Sequence, residues 1–172
     1  DRSGLGDWQE NVKKLPHGLG YLVKEAKDAG IKFGIWLEPE MVSPKSELYE
    51  KHKDWVIRQP ERPEHYFRSQ LVLDLSNPDV QNFVFGVVDS LFIKNPEIAF
   101  IKWDCNAVIY NANSEYLKKT GQPQTHLYVD YVKGLYKVLE RIRAKYPKVP
   151  MMLCSGGGGR VDYEALKYFT EF

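Results

Sequence analysis

Lys102, Asp104 and Asn106 close a run that begins Ile98-Ala99-Phe100-Ile101 and also holds Trp103 and Cys105. The apolar, β-branched and aromatic opening predicts a strand covered on both faces. Successive side chains of a strand alternate sides, so the lysine, the carboxylate and the amide point together, while Trp103 and Cys105 point away. A cation beside a carboxylate favours its ionised form. An ionised aspartate at a strand end can attack an electrophilic carbon, an anomeric centre included. A structural Lys–Asp pair at the strand end is the competing reading.

Displacement at an anomeric carbon with retention needs a second carboxyl group as acid/base, roughly 5–5.5 Å from the first. Glu38 and Glu40 stand at another predicted strand end. For Glu40 a turn with a salt bridge around Pro39 is the preferred reading; Glu38 stays open. Trp36 shares the side of Glu38 by strand parity and either stacks on a sugar ring or packs inside the fold. Gly156 to Gly159 lack the ending of a phosphate loop. One or two of the four glycines suit a tight turn, and the others let a ligand approach the backbone closely. Arg68 can donate a fork of hydrogen bonds, though by itself it reads as a solvated loop residue.

The elements that position these groups alternate. Leu5 to Pro16 reads as loop, Gly18 to Ala29 as a helix stopped by Gly30, and Ile31 to Leu37 as a strand. A short helix over Pro44 to Lys53, a weak strand at Trp55 to Ile57 and a proline-containing loop from Gln59 to Tyr66 follow. Leu71 to Leu75 is strand-like. Ser76-Asn77-Pro78-Asp79 signals a helix start, with Val80, Phe83, Val84, Val87 and Leu91 as the buried stripe to about Lys94. After the central strand comes a long polar loop, Ala107 to Thr125. A periodic helix spans Leu127 to Tyr146, with Tyr128, Val132, Leu135, Leu139, Ile142 and Tyr146 along one side. A strand over Val149 to Leu153 and a last helix from about Asp162 complete the pattern. Parallel βαβ units are implied, with polar groups at successive carboxyl ends, as in a (β/α)₈ barrel. Only about three units are present, where a barrel takes about 250 residues.

The 172 residues have globular composition, 43% hydrophobic and 27% charged. A net charge of +1 announces no nucleic-acid surface. No apolar run reaches the roughly 18 residues of a membrane span. The 2 cysteines, Cys105 and Cys154, read as free thiols, with a cytoplasmic setting as the default. Four scattered histidines give no zinc spacing, so no metal is expected. The opening Asp1-Arg2-Ser3-Gly4 lacks a methionine and the chain stops on Phe172, so both ends read as cut.

Several motifs in register carry a resemblance: Leu5-Gly6-Asp7-Trp8, Gly34-Ile35-Trp36-Leu37-Glu38-Pro39-Glu40-Met41, Gln70 to Ser76, Lys102-Trp103-Asp104 with Asn106, and Gly156 to Arg160 with Asp162. Over essentially its whole length the chain resembles the catalytic domain of family 36 glycoside hydrolases, the α-galactosidases of melibiose- and raffinose-type sugars. The resemblance implies part of a (β/α)₈ barrel, roughly strands three to five, within one domain spanning 1–172. It implies retention of anomeric configuration without metal or cofactor, with Asp104 as nucleophile. Trp36, Arg68, Lys102, Asn106 and Cys154 would line the galactose pocket, and Gly157 would lie close to the sugar.

Two departures matter. The family commonly reads Lys-Trp-Asp-Met-Asn-Arg where this chain has Cys105 and Ala107, both expected to face away from the pocket. The family's acid/base aspartate follows a Trp-x-Ser-Asp motif expected beyond Phe172, and its sugar-gripping Asp-Asp pair is expected before Asp1, so the isolated chain should be inactive. An α-N-acetylgalactosaminidase, a raffinose-type galactosyltransferase, and a non-catalytic sugar-binding domain of doubly wound topology are the alternatives. A part-barrel with bare sheet edges is also expected to self-associate as a homo-oligomer.

Overall fold

The computed structural model describes residues 3–172; Asp1 and Arg2, part of the opening read above as a cut end, lie outside the described residues. In chain order come α1 (Gly18–Asp28), β1 (Phe33–Leu37), β2 (Met41–Val42), α2 (Glu47–Lys51) and β3 (Leu71–Val72). Then follow α3 (Pro78–Lys94), β4 (Ile98–Trp103), α4 (Glu115–Lys119), α5 (Leu127–Lys145) and β5 (Met151–Leu153). β1, β4 and β5 form a parallel sheet in that order, with β4 central. β2 and β3 pair antiparallel in a separate ribbon. Thus Leu71 to Leu75 is no member of the main sheet, and its strand is only two residues long.

The sheet has a dry face and a bare one. Leu37, Ile101, Trp103, Met151 and Leu153 are buried in the core with the inner sides of α3 and α5. Across the pleat Gly34 and Trp36 are exposed, and Phe100, Lys102 and Met152 are only partly covered. Helices over one face of a parallel sheet, with the other turned inward, make a barrel wall.

The helix starts follow their local signals. Asn77 caps α3, its side chain accepting the Asp79 N–H at 2.9 Å, with Pro78 in the first turn. The buried stripe is Val80, Val84, Val88 and Phe92, so Phe83, Val87 and Leu91 lie on its flank. α5 is rotated further from its expected face. Leu127, Tyr131, Gly134, Leu135 and Val138 are buried, whereas Tyr128 and Val132 are exposed. Gly134 is the cause: a Cβ there would stand 1.9 Å from the Leu75 carbonyl oxygen, so the helix backbone itself presses on the chain ahead of α3. Three smaller expectations also change. Trp55 sits in a 3₁₀ turn with Val56 in a lone bridge to Leu73, the 107–125 loop contains α4, and Ala165–Lys167 is a 3₁₀ turn rather than a longer helix.

Candidate active site

Asp104 is fixed one residue past the end of β4. β1 and β4 pair Trp36 with Lys102 and Leu37 with Trp103, and the Asp104 N–H continues the ladder to the Leu37 carbonyl at 2.8 Å. The Cys154 N–H does the same from β5, donating to the Trp103 carbonyl at 2.8 Å. Three strand ends are laced at one level, and their side chains meet there.

Asp104 is 6% exposed. Trp36 Nε1 donates to its Oδ2 at 3.0 Å, and the Cys105 N–H donates to its Oδ1 at 2.9 Å. Burial pushes this carboxyl up, but hydrogen bonding by the Trp36 indole, the Asn106 amide, the Cys105 backbone and the Cys154 thiol outweighs it. The net result lies below the usual carboxylate range, so Asp104 is ionised at neutral pH. The sequence expectation credited Lys102 with this effect. In the structure Lys102 makes no ion pair with Asp104, and neutral donors hold the charge instead.

Glu38 and Glu40 are both fully buried, which removes each from acid/base work on a substrate. Glu40 accepts Trp103 Nε1 at 2.8 Å and Arg160 Nη1 at 2.9 and 3.0 Å, and it also accepts the Tyr131 hydroxyl. The salt bridge expected at this turn exists, with its cation drawn from beyond the glycine run. Glu38 accepts the Asn106 N–H at 2.6 Å on one oxygen and Gln70 Nε2 at 2.8 Å on the other. Sequence reasoning left Glu38 open and passed over Gln70, because both partners are long-range.

Through Gln70 this network reaches Arg68, which lies at the tip of an exposed turn. Arg68 and Ser69 have φ of 55° and 62°, and the Gln70 N–H closes the turn on the Phe67 carbonyl at 3.0 Å. Two left-handed residues in a row normally call for Gly or Asn, so an Arg-Ser pair here is strained backbone held by its surroundings. On the other flank, Gly156 and Gly157 have φ of 59° and 101°, and a Cβ on either would meet nothing within 4 Å. Their backbone is therefore open to an incoming molecule. Ser155 pins this turn to the Asp104 strand, its hydroxyl donating to the Cys105 carbonyl at 2.7 Å. Cys105 and Ala107 are both buried. Trp36, Asn106 and Cys154 thus gather on Asp104, Lys102 lies beside Trp36 by register, and Arg68 and Gly157 occupy flanking loops.

The fold and this rim are those of one wall of an α/β barrel. The melibiase family model matches residues 1–172, and the chain belongs to that family. It is 42% identical over 172 residues to α-galactosidase AgaA of Geobacillus stearothermophilus, covering 99% of this chain and 23% of that protein. Against α-galactosidase 1 of Pediococcus pentosaceus it is 44% identical over 171 residues, covering 99% and 23%. The crystal structure of the family 36 α-galactosidase AgaB from G. stearothermophilus superposes with a TM-score of 0.89 at 40% identity, over 96% of this chain and 22% of that one. A variant of AgaA in complex with stachyose gives a TM-score of 0.91 at 40% identity, over 98% and 23%. The chain therefore spans just under a quarter of the length of these relatives. Among the described residues no helix is long and apolar enough to cross a membrane.

Proposed function

We propose that the protein containing this chain is a retaining α-galactosidase with Asp104 as its nucleophile. The observation that carries this reading is a carboxylate at a barrel rim, held ionised by neutral donors in a chain of the melibiase family. An Asp104 oxygen forms a bond to the anomeric carbon of a terminal α-galactoside as the glycosidic C–O bond breaks, giving a covalent glycosyl-enzyme. Water then displaces Asp104 from the face that the leaving oxygen vacated, opposite the ester bond, so two inversions retain the configuration. The proton needed by the leaving oxygen comes from an acid/base outside residues 1–172, since Glu38 and Glu40 are sealed from the opening. Lys102, Asn106, Cys154 and Arg68 supply donors to the sugar hydroxyls, Trp36 a ring face, and Gly157 close backbone approach. The complex of the AgaA variant with stachyose supports an oligosaccharide substrate.

The test is replacement of Asp104 by Ala in the complete enzyme, assayed on melibiose and on an aryl α-galactoside. Turnover should vanish and return with inverted configuration when azide is supplied; near-normal turnover sinks the assignment. The 172-residue chain alone should leave melibiose intact.

A further inference from the structure

The Leu5-Gly6-Asp7-Trp8 motif has no part in the site as described, yet it is built with unusual care. Both Asp7 carboxylate oxygens are occupied, Oδ2 by the Glu47 N–H at 3.1 Å and Oδ1 by the Leu48 N–H at 2.9 Å, so the aspartate caps α2 beside Ser46. The Leu5 carbonyl accepts the Ser43 N–H at 2.7 Å. Gly6 is buried at φ of 108°, and a Cβ there would stand 2.8 Å from Val42 Cγ2. The segment is therefore clamped onto β2 and α2 along its whole length.

What it delivers is Trp8. This residue has φ of 50°, a backbone region that bulky side chains avoid. Gly or Asn would sit there at less cost, so the tryptophan is held against its own preference. Its ring lies 6.3 Å from the Trp36 ring, tilted by 51°, within the range of favourable aromatic pairs. Trp36 needs such a neighbour. It stands on the bare face of the sheet, 43% exposed, and its indole N–H donates to Asp104. An indole that swings away from Asp104 no longer donates to it.

We infer that Trp8 is a positioning residue: the clamped Leu5–Trp8 segment holds its ring against Trp36 and so fixes the indole that serves the Asp104 carboxylate. The consequence for turnover rests on Asp104 being the nucleophile; the consequence for Trp36 does not.

The experiment is a double-mutant cycle in the complete enzyme, W8A, W36F and both together, read by kcat/KM on an aryl α-galactoside. A residue acting through Trp36 gives non-additive losses. W8A alone should lower kcat/KM by up to about tenfold, no more than loss of the Trp36 indole N–H itself. In the W36F background the same change should cost less than about threefold. The acid limb of the W8A profile should move to higher pH, because Asp104 loses a donor that favours its charged form. Trp8→Leu, which keeps an apolar side chain without the ring, replaces W8A should the alanine variant fail to fold. Independently of turnover, nitrogen-15 labelling of tryptophan, with W36F giving the assignment, should show faster solvent exchange of the Trp36 indole N–H in the Trp8 variant. Unchanged exchange, or losses that multiply across the cycle, overturns the inference. A parent enzyme without α-galactoside turnover overturns the functional reading, and the exchange measurement still decides the role of Trp8.

Discussion

Two carboxylates at the ends of neighbouring strands each accept an indole N–H from the other strand. Trp36 of β1 donates to Asp104 beyond β4, and Trp103 of β4 donates to Glu40 beyond β1. From there the two sites diverge. Glu40 has no exposure, and its remaining valences are filled by Arg160 and Tyr131. Its charge makes Arg160 harder to deprotonate, and the pair is closed on itself. Asp104 takes neutral donors and is 6% exposed. A carboxylate neutralised by a guanidinium gives up the electron density that an attack requires. One held ionised by an indole, an amide and a backbone N–H keeps that density. Exposure and the charge of the partner, rather than residue type, separate the proposed nucleophile from the structural carboxylate.

The contrast can be broken first at Asp104. Asp104→Asn in the complete enzyme should lower kcat on melibiose by a factor on the order of 10⁴ or more, while the melting temperature changes little. At the closed site the effect should fall on stability. Glu40→Leu strands the buried Arg160 charge and should cost about 3–5 kcal/mol in chemical denaturation, whereas Glu40→Leu with Arg160→Met should recover most of that loss. Trp36→Phe sits between the two. Hydrogen bonding lowers the folded pKa of Asp104, so its stabilising effect is present above the ordinary carboxylate value and is lost as pH falls through the folded one. Removing the indole N–H raises that folded value, so the acid limb of kcat/KM should move upward and kcat/KM should drop about tenfold. Smallest should be Ser155→Ala, which frees the glycine turn from the Cys105 carbonyl and should cost about 1 kcal/mol.

Some of this was readable from local pattern. β4 and the start of α3 are encoded within a few residues, by the apolar run before Lys102 and by Asn77-Pro78. The shared side of Lys102, Asp104 and Asn106 follows from alternation alone. The parts that were misread depend on distant contacts. The face of α5 is set by Gly134 against Leu75, and no periodicity within the helix contains that contact. α4 is one short turn inside a polar loop, started by Ser114, whose hydroxyl both caps Leu117 and donates to Asp74. Lys102 was given the task of keeping Asp104 charged because it is adjacent in sequence. Two of the donors that accomplish it, Cys105 and Asn106, are as near in the chain, and the other two arrive from β1 and from beyond β5.

The bond between Glu40 and Arg160 spans 120 residues of sequence. On a ribosome the acidic end of β1 emerges long before its cation exists, and a lone carboxylate resists leaving water. The junction of β1 with β4 can therefore dry out only after the glycine turn has left the exit tunnel. Closure of this rim is a late event of synthesis, and a chain halted short of Arg160 would display a wet, open β1 end to any chaperone nearby.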